Sequence, residues 1–132
     1  MEELIKAARA ARENAYVPYS KFKVGAAVLS KSGKIFVGCN VENASYGLTN
    51  CAERTAIFTA VSAGETDLTA LAVVADTIGP TAPCGSCRQV MAEFGISKIV
   101  LCNVKGESRV VSLDDLLPYS FTKIDSTGAG DL

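Results

Sequence analysis

The stretch that most constrains the fold is an unbroken apolar run, LTALAVVA, at residues 68–75. A strand that is apolar at consecutive positions is buried on both of its faces, as the central strands of α/β sheets are. A membrane span would need about 18 consecutive apolar residues, and no stretch of the sequence approaches that length. We therefore expect a sheet with helices packed on both of its faces, and no membrane partner.

The rest of the sequence alternates helical and strand patterns around this run. Four apolar residues recur at helical spacing within residues 2–15, which predicts a first helix there. The tripeptide Lys31-Ser32-Gly33 is a tight-turn signal between two strand-like segments. The remaining predicted elements are strands at 24–30, 34–42, 98–102 and 109–113, a helix at 50–63 with Ile57, Phe58 and Val61 buried, and a helix ending at Gly95 with Cys87, Val90, Met91 and Phe94 on one face.

The link between the last two predicted strands is short, NVKGE at residues 103–107, so we expect a hairpin and an antiparallel last strand. Asp114 is then predicted to cap a brief helix. The sequence thus predicts a three-layer α/β/α fold with a five-stranded mixed sheet. We expect residues 1–132 to form a single domain with a flexible tail at about 122–132. Within that tail, DSTGAGD (125–131) resembles the anion-hole motif of ribokinase-type sugar kinases, which we interpret as a chance match or part of the tail.

The charge and the cysteine content of the chain indicate which kind of partner it binds and in which cellular compartment it works. The 132 residues carry a formal net charge of -1, and the lysines and arginines form no cluster. Proteins that bind long nucleic acids usually carry a basic stripe, so we expect a small-molecule partner instead. The N-terminal residues MEELIKAARAARENA lack the apolar segment of a secretory signal. Together with an odd number of cysteines, this predicts a cytoplasmic protein with reduced thiols.

Three cysteines lie where two predicted helices begin. Cys51 starts one helix, and Cys84 and Cys87 of PCGSC start the next; we expect both starts at the carboxyl ends of neighbouring strands. Helix N-termini stabilise thiolates there. The C-x-x-C pair alone leaves open a redox pair, a structural metal site closed by a fourth cysteine, or a catalytic site. The chain has no histidine, but three thiolates can hold zinc and leave a fourth position for water. Cys39 and Cys102 are expected in the core.

Charged residues beside these cysteines favour the catalytic interpretation. Glu53 lies two residues after Cys51, where a carboxylate can take a proton from a zinc-activated water. The structural alternative is a first-turn glutamate favoured by the helix dipole. We expect Arg54 to donate a hydrogen bond to a thiolate sulfur and offset its charge. For Arg88, the same role and an exposed position on a helix both remain open.

Five segments carry a family resemblance over nearly the whole chain: YSKFKVGAA (19–27), GCNVENASYG (38–47), NCAERTA (50–56), PCGSCRQV (83–90) and LLPYSF (116–121). Cys-Ala-Glu followed by Pro-Cys-x-x-Cys is the pattern of the zinc nucleoside and nucleobase deaminases. Taken together, the segments resemble cytidine deaminases of the short, homotetrameric, three-cysteine zinc type.

The resemblance implies a reaction, the zinc-dependent hydrolytic deamination of cytidine and deoxycytidine to uridine and deoxyuridine plus ammonia, a step of pyrimidine salvage. Cys51, Cys84 and Cys87 would bind one Zn²⁺ per subunit, and Glu53 would carry protons to the ring N3 and to the leaving amine. The alternatives are a blasticidin S deaminase, a relative of similar size, and a non-catalytic zinc-folded module.

The resemblance also implies how a pyrimidine nucleoside would be held, with each site completed by neighbouring subunits of a homotetramer. The strand prediction supports one part of this independently, because Asn40 and Glu42 are two residues apart and would share a face. The implied contacts are Phe22 and Tyr46 along the base pocket, Asn40 and Glu42 on the ribose hydroxyls, the Ala52 amide on the pyrimidine O2, and Phe121 reaching into a neighbouring subunit.

Overall fold

The computed structural model describes residues 1–122. Of the predicted tail at 122–132, only Thr122 falls within this range, and DSTGAGD lies outside it. The elements follow the predicted order: α1 (Glu2–Arg12), β1 (Val24–Ser30), β2 (Ile35–Cys39), a 3-10 turn (Tyr46–Leu48), α2 (Ala52–Ser62), β3 (Leu68–Ala75), α3 (Gly85–Glu93), β4 (Lys98–Asn103), β5 (Ser108–Ser112) and α4 (Leu113–Leu116).

The sheet has five strands in the order β2-β1-β3-β4-β5. Only β3 and β4 run parallel; the pairs β2–β1, β1–β3 and β4–β5 are antiparallel. This confirms the predicted mixed sheet with an antiparallel last strand. The predicted apolar run is β3 itself, at the centre of the sheet.

Helices cover both faces of the sheet, which gives the predicted three layers. Leu71 and Val73 of β3 belong to a core that includes residues of α2 and α3. Ala70 and Val74, on the other face of the same strand, pack in a second core with α1. Alternate residues of β3 thus enter two cores, which is why the run is apolar at nearly every position.

Gly38 lets α2 approach the sheet closely. A Cβ atom built on Gly38 would lie 2.3 Å from the backbone nitrogen of Ala56, a separation that no packed structure tolerates. Any side chain at Gly38 would therefore push α2 away from β2. Since Cys51 caps the start of α2, this glycine also sets the position of the first predicted zinc ligand.

Two predicted elements are shorter than expected. The first helix ends at Arg12 because the amides of Asn14 and Ala15 bond carbonyls three residues back, so the last turn tightens. The prediction of a strand continuing to residue 42 is wrong, since β2 ends at Cys39. Beyond that point Val41 forms isolated bridges to Tyr16 and Asn50 and does not pair with β1.

Two further predictions are wrong for reasons of packing and capping. Phe58 does not lie in the buried stripe; its side chain is 45% exposed, because the small residues of α2 face the sheet. Asp114 is not the cap of α4. Ser112 caps that helix by accepting a hydrogen bond from the Asp115 amide, and the Asp115 carboxylate completes a capping box by accepting one from the Ser112 amide.

Among the five cysteines, Cys102 is buried as predicted, in the core shared with α1, whereas Cys39 is only half-buried. None of the helices within residues 1–122 is long and apolar enough to cross a membrane.

Candidate metal centre and active site

Two helix starts converge at one edge of the sheet. Cys51 is the N-cap of α2, which follows β2, and Cys84 is the N-cap of α3, which follows β3. The prediction that these two strands are neighbours is wrong, because β1 lies between them. Since β1 is antiparallel to both, β2 and β3 nevertheless point the same way and their carboxyl ends share an edge. Each helix start presents free amides and a partial positive charge there.

The three predicted ligand atoms lie together. The Sγ atoms of Cys51 and Cys84 are 3.7 Å apart, and those of Cys84 and Cys87 are 3.3 Å apart. All three lie within 4.8 Å of one another. Tetrahedral zinc with bonds of about 2.3 Å to sulfur places its thiolates about 3.8 Å apart, so the cluster fits zinc with a small adjustment. The cluster includes neither Cys39 nor Cys102, so the alternative of a site closed by a fourth cysteine has no support within residues 1–122.

One of the three thiols ionises far more easily than an ordinary cysteine. A hydrogen bond from Cys87, followed by hydrogen bonds from Arg54 and Cys84, lowers the pKa of Cys51 to about 5 despite its partial burial. The pKa of Cys87 is raised far above its usual range, because its proton is shared with the Cys51 thiolate and because the side chain is buried. The two opposite shifts favour a negative charge on Cys51 over one on Cys87.

Arg54 is the cation of this cluster, as predicted. Its Nη2 donates to the Cys51 Sγ at 3.2 Å, and this contact raises the pKa of the guanidinium above its ordinary value. Its Nε is buried without a hydrogen-bond partner among the residues that the structure describes. An arginine held this way offsets negative charge on the sulfurs and fixes the direction of Cys51.

Replacing Arg54 by alanine is expected to weaken zinc binding roughly 10- to 100-fold, the usual effect of removing a group that supports a metal ligand. Without the guanidinium the pKa of Cys51 rises, so protons compete with zinc at neutral pH. The difference in zinc affinity between Arg54→Ala and the wild type should therefore become smaller as the pH approaches the ordinary thiol pKa of about 8.5. Competition with a chromogenic chelator across this pH range measures both effects. The control is Arg109→Ala, which also removes one arginine, at an exposed position on β5. Equal zinc affinity in the two variants would contradict the role assigned to Arg54.

Glu53 lies in the first turn of α2 and is almost completely buried, with 4% of its surface exposed. Burial raises the pKa of Glu53 to about 7, and the nearby negative charge of Cys51 adds to the shift. A solvated first-turn glutamate would not be buried in this way, so the structural alternative does not account for its position. A carboxyl group that titrates near neutral pH can both accept and release a proton under physiological conditions.

Arg88 takes neither of the two roles that the sequence left open. Its Nε donates to the carbonyl of Pro83 at 2.9 Å, and its Nη1 donates to the carbonyl of Leu116 at 2.8 Å. The side chain therefore links the residue preceding Cys84 to the end of α4. Arg88 supports the loop that carries two thiols and does not contact the sulfurs.

A cleft of about 370 Å³ is lined by Tyr19, Ser20, Glu42, Tyr46 and Thr49; we call it the polar cleft. Glu42 and Tyr46 were predicted to contact substrate, and the rings of Tyr46 and Tyr19 meet edge to face at 6.2 Å. An antiparallel bridge joins the cleft to the zinc ligands, since Val41 pairs with Asn50, the residue before Cys51. The two predicted sites are thus parts of one region.

Asn40 is buried, and both of its amide atoms bond the backbone around Lys23. Its Nδ2 donates to the Phe22 carbonyl at 2.8 Å, and its Oδ1 accepts from the Val24 amide at 2.9 Å. Phe22, predicted to line the base pocket, keeps 42% of its surface exposed. Asn40 therefore positions the segment that carries Phe22, and Asn40 and Glu42 follow β2 without forming a regular strand.

The remaining predicted contacts are Ala52 and Phe121. Ala52 is the first residue of α2 and is fully buried, and its methyl group packs in the core, so any contact with a ligand would have to be made by its backbone amide. Phe121 is 64% exposed, and its carbonyl accepts a 2.6 Å hydrogen bond from Gln89 of α3. Its ring is free to contact another molecule.

Sequence reasoning missed two polar residues that shape the site. Ser20 bonds Glu42, a contact that spans 22 residues of sequence and has no local signature. Asn103, at the end of β4, is fully buried, and its Nδ2 donates to the carbonyls of Thr77 and Ile78 in the loop leading to Cys84. The only signal for Asn103 was its place in NVKGE, which the sequence analysis treated as a turn.

Comparisons with known proteins agree with this geometry. Residues 1–103 match the family model described as the cytidine and deoxycytidylate deaminase zinc-binding region. A cytidine deaminase of Sporosarcina psychrophila is 54% identical, over 99% of this chain and 98% of that protein. A crystal structure of a cytidine deaminase from Burkholderia pseudomallei superposes with a TM-score of 0.88 and 60% identity, covering 91% of this chain and 98% of that one. A blasticidin-S deaminase of Bacillus cereus is 30% identical, over 79% of this chain and 80% of that protein.

The family match and the three-thiol cluster together confirm the predicted zinc cofactor. The resemblance drawn from the five sequence segments is confirmed as well, since it extends over nearly the full chain in both sequence and structure. The chain belongs to the cytidine and deoxycytidylate deaminase family of zinc enzymes.

Proposed function

We propose that this chain catalyses the hydrolytic deamination of cytidine and deoxycytidine to uridine and deoxyuridine, with release of ammonia. The observation that carries the proposal is the convergence of three cysteine sulfurs beside the buried carboxyl group of Glu53. Three ligands leave a tetrahedral metal one open position, as in catalytic zinc sites. The identity of this chain to curated cytidine deaminases supports the choice of substrate.

In this proposal Cys51, Cys84 and Cys87 hold the zinc ion. Bound zinc supplies a Lewis acid that lowers the pKa of a water molecule and so makes it a nucleophile at neutral pH. Three thiolates would make the site too negative for this task, and Arg54 offsets part of that charge through its contact with Cys51.

Glu53 moves the protons. It accepts one proton from the attacking water and delivers it to N3 of the pyrimidine. It then takes the second proton of that water from the hydroxyl group formed on C4 and passes it to the amine, which leaves as ammonia. Water adds and ammonia departs, so no oxidant or second substrate is required. A pKa of about 7 suits both directions of transfer, since a group whose pKa lies near the working pH is an efficient acid and base.

The polar cleft would hold the sugar, and the aromatic residues Phe22 and Tyr46 would contact the base. Glu42, an acceptor when ionised, suits a ribose hydroxyl, and we propose that Asn40 contributes its remaining hydrogen-bonding capacity. Phe22 and Tyr46 would border the base, and the amide of Ala52 would bond the pyrimidine O2. In this arrangement C4 would face the metal centre, and the bridge between Val41 and Asn50, the residue before Cys51, supports it by linking the cleft to the zinc ligands.

We further propose that the chain forms a homotetramer in which Phe121 of one subunit completes the site of another. Several large apolar side chains are exposed within residues 1–122, including Tyr46, Leu48, Phe58 and Phe121. Exposed apolar side chains of this size are available to pack against another subunit. A cytoplasmic role in pyrimidine salvage fits five unpaired cysteines, which suit a reducing compartment.

The alternatives account for fewer observations. The blasticidin-S deaminase relative is 30% identical over 79% of this chain, against 54% over 99% for the cytidine deaminase relative, which favours cytidine as the substrate. A redox role for Cys84 and Cys87 leaves Cys51 and Glu53 unused. A non-catalytic zinc module offers no reason to bury Glu53 beside the sulfurs.

Incubation of the zinc-loaded protein with cytidine tests the proposal. The ultraviolet spectrum should shift from that of cytidine to that of uridine, with one ammonia released per uridine formed. Deoxycytidine should behave alike, whereas blasticidin S should not be consumed at a comparable rate. If fully zinc-loaded protein leaves cytidine unchanged, the proposed substrate is wrong, and turnover of blasticidin S alone would establish the alternative.

A further inference from the structure

Ser20 makes several hydrogen bonds to two of the proposed substrate-binding residues, Glu42 and Phe22. Its hydroxyl donates to Oε2 of Glu42 in a short contact, and its amide donates to Oε1 of the same carboxylate at 3.1 Å. The amide of Tyr19 adds a third donor to Oε1 at 3.0 Å. The Ser20 hydroxyl also accepts from the Phe22 amide at 3.0 Å. One hydroxyl thus joins a predicted sugar contact to the segment that carries a predicted base contact.

These bonds fix the direction and the charge of Glu42. An ionised carboxylate has about four acceptor positions, so three donors leave about one for a ligand hydroxyl. The hydrogen bonds from Ser20 hold the pKa of Glu42 below its ordinary value, which keeps the acceptor ionised. Lys21, the residue between Ser20 and Phe22, has a φ of 61°, an unusual conformation for a residue other than glycine that the flanking bonds hold in place.

We propose that Ser20 is a positioning residue of the substrate site: its hydroxyl aims the free acceptor position of Glu42 at a sugar hydroxyl of the nucleoside. This inference rests on the proposed function, in which Glu42 binds ribose. Ser20 does not touch the reacting atoms, so its contribution is to substrate affinity and not to the chemical step. The site should then prefer nucleosides that retain a sugar hydroxyl for Glu42 over dideoxynucleosides, which lack both.

Ser20→Ala tests the inference, and the chain offers a matched control. Ser32 makes a similar exposed serine–glutamate bond, to Glu65 at 2.6 Å, in the turn between β1 and β2, and it is not part of the polar cleft. Losing one hydrogen bond to a charged group should raise the KM for cytidine roughly tenfold and leave kcat within about twofold. Ser32→Ala should leave both constants unchanged. Because Ser20 is exposed, both variants should keep their zinc content and unfolding midpoint.

The substrate 2′,3′-dideoxycytidine separates positioning from general disturbance. It lacks the hydroxyls that Glu42 would bind, so the KM ratio of Ser20→Ala to wild type should fall from roughly tenfold to about twofold or less. An unchanged KM for cytidine in Ser20→Ala would overturn the inference, as would an equal KM loss on both substrates. If the wild-type protein deaminates cytidine and Ser20→Ala has the same KM as the wild type, only this inference is refuted. If the wild-type protein does not deaminate cytidine at all, the proposed function is refuted as well.

Discussion

Glu53→Gln is expected to abolish deamination while leaving the fold and the bound zinc intact. Glutamine has the shape of glutamate, so the first turn of α2 should keep its packing, but an amide cannot exchange the protons that the reaction moves. General acid–base groups contribute about 10²- to 10⁴-fold, and Glu53 is proposed to serve at both the attack and the departure step, so we expect a loss on the order of 10⁴ in kcat. Steady-state rates with cytidine, paired with zinc content by atomic absorption, measure the effect.

The matched control is Glu93→Gln, which makes the same chemical change at an exposed position near the end of α3. That variant should retain wild-type activity. If Glu53→Gln keeps most of the wild-type kcat while Glu93→Gln behaves as expected, the proton-transfer role assigned to Glu53 is wrong. Loss of zinc from Glu53→Gln would point instead to a structural role beside the sulfurs.

Cys51→Ala should lose both stoichiometric zinc and activity. The substitution removes the thiol with the lowered pKa and leaves only Cys84 and Cys87 as ligands. Removing a group that merely supports a ligand costs about 10- to 100-fold in metal affinity, so removing the ligand itself should cost at least about 100-fold. Arg54 would also lose its hydrogen bond to Cys51 and keep only its interaction with Cys87 in this cluster.

Cys39→Ala serves as the control for this loss, because Cys39 is only half-buried and lies outside the sulfur cluster. It should retain one zinc per chain and full activity. Zinc that survives Cys51→Ala and is lost in Cys39→Ala would mean that the three-thiol site has been assigned wrongly. Activity that survives loss of all zinc would refute the zinc mechanism altogether.

The parts of this structure that could be predicted from sequence are those governed by local pattern. The apolar run at residues 68–75 specified a central strand, and the short turn at 103–107 specified an antiparallel last strand. Cys51 and Cys84 could be placed together because helix starts that follow parallel-pointing strands share an edge. In each case a few neighbouring residues carry the information.

The parts that could not be predicted depend on residues distant in sequence. Arg88 bonds the carbonyl of Leu116, 28 residues away, and nothing near Arg88 distinguishes that contact from exposure on a helix. Phe58 follows the buried Ile57 along α2, yet it faces outward because the helix turns its alanines to the sheet. Ser20 reaches Glu42 only because the segment before β1 pairs with residues after β2.

The position of the three thiols on two separate helices also bears on when zinc can bind relative to folding. Cys51 lies at the start of α2 and the other two thiols at the start of α3, and both helices pack on the same face of the sheet, in a core that includes Val28 of β1 and Leu71 of β3. Pairing over so long a stretch of chain is slow compared with local folding. Two thiols of a C-x-x-C turn alone would hold zinc weakly in a newly made chain, unlike the complete ligand set of a zinc finger. We therefore expect zinc to bind mainly after the chain has folded, and zinc-depleted preparations to contain folded protein that takes up the metal when it is added.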